Sequence, residues 1–186
     1  MPTPPKTSSA KIIAAARDLI GEHGLEALTM QAVAQRVGVR GPSLYKHFDD
    51  RAALLREVET AVVADLEAVM IQVPTSLDDL SALRAIAAAY RTFAREHPAT
   101  YSLIFGLHSG DAAAEQARRR ALQPALQRLE SYLRDRNQAF IRARVLTSFL
   151  HGFVSMEAAG AFRLGGDIEQ AFQAGLALLL CDNASR

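Results

Sequence analysis

Between positions 40 and 51 the chain gathers groups able to grip a polyanion. Arg40, Lys46 and Arg51 bring positive charge, and Ser43, Tyr45 and His47 bring hydrogen-bonding side chains. Their spacing sorts them by face. Leu44 and Phe48 lie four residues apart, share one side of a helix and turn inward, which leaves Ser43, Tyr45, Lys46 and His47 on the other sides. Gly38 can take the left-handed conformation that ends one helix, and Pro42, with its fixed φ and missing N–H, suits the first turn of the next. A helix of about two turns is not stable alone, so a second helix must cover Leu44 and Phe48.

That second helix lies just upstream. Thr29 is placed to cap a segment from Met30 to Val37 whose apolar residues Met30, Val33, Ala34 and Val37 recur at helical spacing. Two short helices across a glycine turn make a helix-turn-helix, in which the second helix enters the major groove and donors on the flanking turns hold phosphates. The run from Thr29 to Val39, followed by Leu44-Tyr45-Lys46-His47-Phe48 and by Arg51-Ala52-Ala53-Leu54-Leu55, resembles the DNA-binding domain of the tetracycline-repressor (TetR) family of bacterial regulators, over about residues 10–57.

The resemblance implies roles residue by residue. Thr29, Tyr45 and His47 match family positions that hold phosphates. Arg40, Gly41, Pro42, Ser43 and Lys46 occupy the turn and the helix face where bases are read, and Arg51 stands where the family usually has a lysine. Arg40 replaces the more usual serine, a change that bears on sequence preference, and Asp49 adds an acidic group beside the backbone contacts. The family's members typically dimerise through their last two helices and commonly sense a small molecule in the C-terminal part.

Composition fits a nucleic-acid binder once the charge is divided along the chain. Residues 1–48 carry six Lys or Arg against three Asp or Glu, whereas residues 49–186 carry fifteen against seventeen, so the net charge of +1 conceals a basic N-terminal part. The asymmetry is modest for one copy, and a dimer presenting two such faces is the natural remedy. No apolar run approaches the roughly 20 residues of a membrane span, and the first seven residues lack the apolar core of a secretory signal. A single cysteine, Cys181, excludes an internal disulfide and a cysteine-based zinc site, which fits a cytoplasmic protein.

The rest of the chain reads as helix, with no alternating run that argues for strands. A first helix capped by Ser8 or Ser9 runs through Ile12, Ile13, Ala16, Leu19 and Ile20 to His23 and ends at Gly24, with Leu25 supplying the apolar contact of a left-handed helix end. Asp50 caps a long helix to about Val73, about 36 Å if straight, which links the reading unit to the second half of the chain. Leu80, Leu83, Ile86, Ala87, Tyr90 and Phe93 form the next stripe, ended by His97-Pro98, and a short apolar helix through Tyr101 to Leu107 stops near Gly110. Pro124 kinks or divides the segment between Ala112 and Arg134. Arg118-Arg119-Arg120 reads as a solvated face. Phe140 to Leu164 and Ile168 to Leu179 carry apolar residues on more than one side, which calls for a second copy as cover. Leu150-His151-Gly152 with Met156-Glu157 is similar to the His-Gly stretch of one subgroup of TetR-like C-terminal domains, without the tryptophan often found just before it.

No catalytic constellation, cofactor loop or metal-ligand spacing emerges. An apolar interior remains, with Met70, Tyr90, Phe93, Tyr101, Phe105, His108 and Phe149 as the side chains that would line a pocket for a small organic molecule. The sequence therefore predicts an all-α, non-enzymatic homodimeric repressor: a helix-turn-helix DNA-binding domain in residues 1–55, and a ligand-binding and dimerisation domain in residues 56–186. Its partners would be an operator in double-stranded DNA and a small-molecule effector, with no membrane; a dimer without a ligand, or an activator, is the alternative.

Overall fold

The computed structural model describes residues 7–105 and 112–181. Among them the chain is helical without strands: α1 (Ser9–His23), α2 (Met30–Arg36), α3 (Gly41–Leu44), α4 (Arg51–Ile71), α5 (Asp79–Glu96), α6 (Pro98–Tyr101), α7 (Ala112–Leu133), α8 (Arg136–Ala158) and α9 (Ile168–Leu180). Short 3-10 turns span Leu25–Ala27 and Ser102–Phe105. Side chains meet the unpaired N–H groups at most of the helix starts. Ser8 caps α1 and Thr29 caps α2, while Asp135 and Asp167 serve α8 and α9. Asp50 accepts from the Ala53 N–H at 2.7 Å and Asp78 from the Ser81 N–H at 3.0 Å, which start α4 and α5 in the same way.

Several boundaries differ from the sequence reading. Gly24 ends α1 at φ 79° but with ψ 172°, so the chain leaves extended and enters the 3-10 turn rather than closing a left-handed cap. Helix α2 stops at Arg36 with Val37 as its cap, and α4 stops at Ile71, which makes it about 31 Å long. Helix α3 is four residues rather than two turns; Tyr45–His47 continue as a turn, after which the His47 N–H reaches back to the Leu44 carbonyl at 2.8 Å and the Phe48 N–H to the same oxygen at 3.0 Å. Helix α7 passes through Pro124 undivided, because the one bond proline removes points back to the carbonyl of the exposed Arg120. After His97 the chain makes one turn of α-helix and then tightens to 3-10; Leu107, His108 and Gly110 lie outside the described residues.

The helices pack as two compact units. The first takes the described residues up to Asp65 together with those of His97–Arg118; the second takes Leu66–Glu96 and those from Arg119 onward. In the first, Ile12, Ala16 and Ile20 of α1, Leu28, Val33 of α2, Leu44, and Leu54, Val58 and Val62 of α4 are almost fully buried. Burying one such large aliphatic side chain contributes about 1.5–3 kcal/mol, so this set holds short helices that could not persist alone. An Arg17–Asp65 ion pair ties α1 to α4.

The second unit has a different kind of core. Leu83, Leu129, Ala139 and Leu180 form one cluster, flanked by Leu80, Ala125, Leu126, Leu133 and Ala143. Beside it Phe149, Phe153, Phe162 and Phe172 stack between α8 and α9, with the Arg91 guanidinium 4.4 Å from the centre of the Phe172 ring. Arg128 gathers the loop before α5 by donating to the carbonyls of Leu77 and Thr75, each at 3.2 Å. No helix among the described residues is long and apolar enough to cross a membrane.

Candidate nucleic-acid interface

Turn chemistry explains the shape of the interface. The Val37 N–H bonds to the Val33 carbonyl at 3.0 Å, Gly38 turns the chain at φ 71°, and the Val39 N–H returns to the Ala34 carbonyl at 3.0 Å. Only glycine takes that turn without strain. Arg40 is then extended (φ −79°, ψ 146°), Gly41 and Pro42 open α3, and the Ser43 N–H bonds back to the Arg40 carbonyl at 2.9 Å. Leu44 is fully buried and Phe48 nearly so, as their spacing requires, while Tyr45, Lys46 and His47 are exposed.

These residues border a groove of about 700 Å³ lined by Thr7, Gly38, Val39, Arg40, Ser43, Lys46 and His47. Four of the residues on the sequence list meet there, Arg40, Ser43, Lys46 and His47, while Tyr45 is exposed but does not line the groove. Gly41 and Pro42 sit on the same turn. A Cβ at Gly41 would meet nothing within 4 Å, so the fold has no need of glycine there.

The charges of this unit fall into two classes. Arg36 is held by Glu22, with Nη1 donating to Oε2 at 2.7 Å, and the same bond pulls the Glu22 carboxyl below its ordinary pKa. Arg17 is held by Asp65. Arg40 and Lys46 have no carboxylate partner among the described residues and are exposed on the groove. Arg51 belongs with the held class: its Nε donates to the Leu28 carbonyl at 2.6 Å and its Nη2 to that of Leu25 at 3.0 Å. Its guanidinium thus steadies the turn before α2, and the charge it lends to the interface is anchored from behind. Thr29 spends its hydroxyl oxygen on the cap of α2, accepting from the Ala32 N–H at 3.1 Å.

Thr7, which lines the groove, and Ser9, which meets His47, were not assigned to this site by sequence. Thr7 is buried, with no hydrogen-bond partner for its hydroxyl among the described residues. Ser9 lies 3.1 Å from Nδ1 of His47. The signal for Ser9 was the doublet Ser8-Ser9: a helix start uses one cap, and the second hydroxyl is spare.

The side chains expected around an effector divide between the units. Met70, Tyr90 and Phe93 are buried in the second; Tyr101 is buried in the first, its ring 6.2 Å from that of the partly exposed Phe105; His108 lies outside the described residues. Phe149 is engaged otherwise: it stacks on Phe172 at 5.9 Å and lies against Gly175, where a Cβ would come within 2.6 Å of its Cε2. Gly175 is therefore a seat for Phe149 within the chain, and substituting it would disturb α8 and α9 before reaching any second copy. The arginine run resolves as a solvated face, with Arg118 near Glu115 at 3.9 Å and Arg120 near Glu67 at 3.5 Å.

Sequence missed the charge network of the second unit. Arg91 donates to both oxygens of Glu157, Nε at 2.9 Å and Nη2 at 2.8 Å, and from Nη1 to Glu169 at 2.6 Å, with 8% of its side chain exposed. The signal was present, since Arg91 continues the apolar series Leu83, Ala87 at four-residue spacing, and a cation on a buried stripe requires partners.

Comparison with known proteins adds a family. Residues 12–58 match the model for bacterial regulatory proteins of the tetR family, and residues 83–179 the model for a tetracyclin repressor-like C-terminal domain. An uncharacterised helix-turn-helix-type transcriptional regulator of Mycobacterium tuberculosis is 35% identical over 159 residues, 84% of this chain and 73% of that protein. The class A tetracycline repressor of transposon 1721 from Escherichia coli is 36% identical over 97 residues, 48% of this chain and 44% of the repressor. Among solved structures, a TetR variant from Acinetobacter baumannii in complex with minocycline superposes with a TM-score of 0.70 at 25% identity, covering 93% of this chain and 94% of that one. A TetR from Streptomyces coelicolor shares the fold with a TM-score of 0.77 at 20% identity, over 94% and 96% of the two chains.

Proposed function

The chain belongs to the tetracycline-repressor family of bacterial regulatory proteins, and from that premise we propose that it is a repressor that holds an operator in duplex DNA as a homodimer and releases it when a small, largely apolar molecule binds. One observation carries the DNA half: while Arg17 and Arg36 are held by carboxylates and Arg51 by carbonyls, Arg40 and Lys46 stand exposed, with no carboxylate partner among the described residues, beside the hydroxyls and imidazole of the same groove. Lys46 and Arg40 meet phosphates and base edges, Gly41 and Pro42 let the backbone approach the groove floor closely, and Tyr45, His47 and Thr29 hold the DNA backbone. Arg51 contributes field rather than contact.

The dimer is proposed through α8 and α9, on which Ile141, Val145 and Leu178 stand 51%, 44% and 78% exposed. Such residues on adjacent turns favour burial against a second copy. Two recognition turns would then meet half-sites about 34–36 Å apart, or a small multiple of that. The effector half is supported by relatives: a tetracycline repressor matches part of this chain, and a TetR of similar fold was solved with minocycline. Met70, Tyr90 and Phe93, buried in the second unit, are the side chains we assign to it, with α4, which contributes residues to both units, as the route to the recognition turn.

The test is selection of duplexes from a random-sequence pool by the full chain, followed by a screen of compounds, tetracycline and minocycline among them, for release of the selected duplex. A chain that enriches no sequence overturns the regulator reading. A specific complex that no compound dissociates removes the effector and leaves the DNA-binding dimer.

A further inference from the structure

Two serines stand at the start of α1, and the helix uses one of them. Ser8 Oγ accepts from the Lys11 N–H at 3.4 Å, whereas Ser9 Oγ meets Nδ1 of His47, 38 residues further on, at 3.1 Å. Both partners of the second contact are exposed, so it adds little to folding. What it does is fix a ring. We propose that Ser9 is a positioning residue for DNA binding: its hydroxyl holds the His47 imidazole by Nδ1 and leaves Nε2 to donate to a DNA phosphate, a role that rests on reading the groove as a DNA interface.

The chemistry follows from where the imidazole proton sits. A neutral ring with its proton on Nδ1 presents a lone pair at Nε2, which a phosphate oxygen repels. With the proton on Nε2 the ring donates to the phosphate, and Nδ1 needs a donor of its own. A serine hydroxyl supplies that donor by turning its O–H toward Nδ1. The same hydroxyl can reverse and accept when the ring is an imidazolium that donates from both nitrogens. Ser9 therefore gives Nδ1 a partner and holds the ring plane in either charge state, which alanine cannot do. The charged neighbours on the groove are Arg40 and Lys46. On the N-terminal side Thr7 lines the groove and Ser9 meets the His47 ring, with the cap Ser8 before it and the exposed Lys11 two residues on; after His47 come Phe48, whose ring lies 6.5 Å away, Asp49, and Asp50, whose Oδ1 is taken by the Ala53 N–H.

The experiment measures affinity of the full chain for a duplex selected by the wild-type protein, at one fixed pH and salt concentration. The chains compared are wild type, Ser9→Ala, Ser9→Thr, His47→Ala and the Ser9→Ala/His47→Ala double variant. Ser9→Ala should weaken binding about threefold to tenfold, the loss of one oriented hydrogen bond. Ser9→Thr, which keeps the hydroxyl, should restore affinity to within about twofold, and in the His47→Ala background the loss of Ser9 should change nothing further. Melting temperatures should coincide. Unchanged affinity in Ser9→Ala, a loss that persists without His47, or a failure of threonine to rescue would each overturn the role of Ser9. If His47→Ala binds as tightly as wild type, the inference falls while the interface stands on Arg40 and Lys46; if the wild-type chain selects no duplex, the interface itself falls.

Discussion

Arg91 of the second unit lies against two phenylalanine rings and is answered by Glu157 and Glu169, whereas Arg40 and Lys46 of the first are exposed, with no carboxylate partner among the described residues. The same kind of charge is spent on architecture in one region and kept available in the other. A buried cation must be paired, because leaving it alone costs several kcal/mol, so its partners are forced by folding. An exposed cation pays no such cost. That α2 nonetheless pairs Arg36 with Glu22, while the neighbouring turn leaves Arg40 and Lys46 open, separates the cations engaged within the unit from those available to a ligand.

The comparison breaks most visibly at Arg91. Arg91→Leu should lower unfolding free energy by about 3 kcal/mol, because Glu157 and the two rings lose their partner at once, with operator affinity unchanged at temperatures where the variant is folded; chemical denaturation and anisotropy read the two. The pH dependence has a definite sign. Arg91 holds the Glu157 carboxyl below its ordinary value of 4.5, so the stability of the pair is present above that value and is lost as pH falls through the lowered one. Burial also lowers the pKa of His151, which adds a loss in the same acid direction. Wild type and Arg91→Leu should therefore converge in stability as acid protonates Glu157.

The next effect is on association. Leu178→Glu places a charge on the exposed face of α9 and should raise the dimer dissociation constant about tenfold or more, read by sedimentation. Lys46→Ala follows, with operator affinity down about tenfold and stability within about 0.5 kcal/mol of wild type. Gly41→Ala is the smallest and sharpens the contrast most, since a methyl there meets open space in the free chain. It should raise stability by about 0.5 kcal/mol, as alanine does in helices, and weaken DNA binding about threefold by standing off the groove floor.

Local rules made the first unit legible from sequence. Thr29, Gly38, Pro42 and the Leu44/Phe48 pair act within a few residues of themselves, so caps, turn and buried face all appear as their types and spacing require. What escaped depends on long-range partners. Nothing near Arg51 in sequence points to the carbonyls of Leu25 and Leu28, and nothing near Ser9 points to His47. In the second unit the stripes of α5 and α9 were plain, but Phe149 and Gly175 suit a pocket or a dimer seam equally well until the ring is seen lying on the glycine. The interruption of an apolar stripe by Arg91 was the overlooked clue.

The most direct measurement is the salt dependence of operator binding in three chains: wild type, Arg40→Ala/Lys46→Ala, and Arg36→Ala. Each phosphate neutralised contributes about 0.9 to the slope of log affinity against log salt, and a dimer carries every cation twice. The wild-type slope should be steep, the groove double variant should lose about two to four of it, and Arg36→Ala should keep it, because Glu22 already neutralises that charge. A slope that falls as far for Arg36→Ala as for the groove variant, or that survives the loss of Arg40 and Lys46, would contradict the assignment of the open cations to DNA.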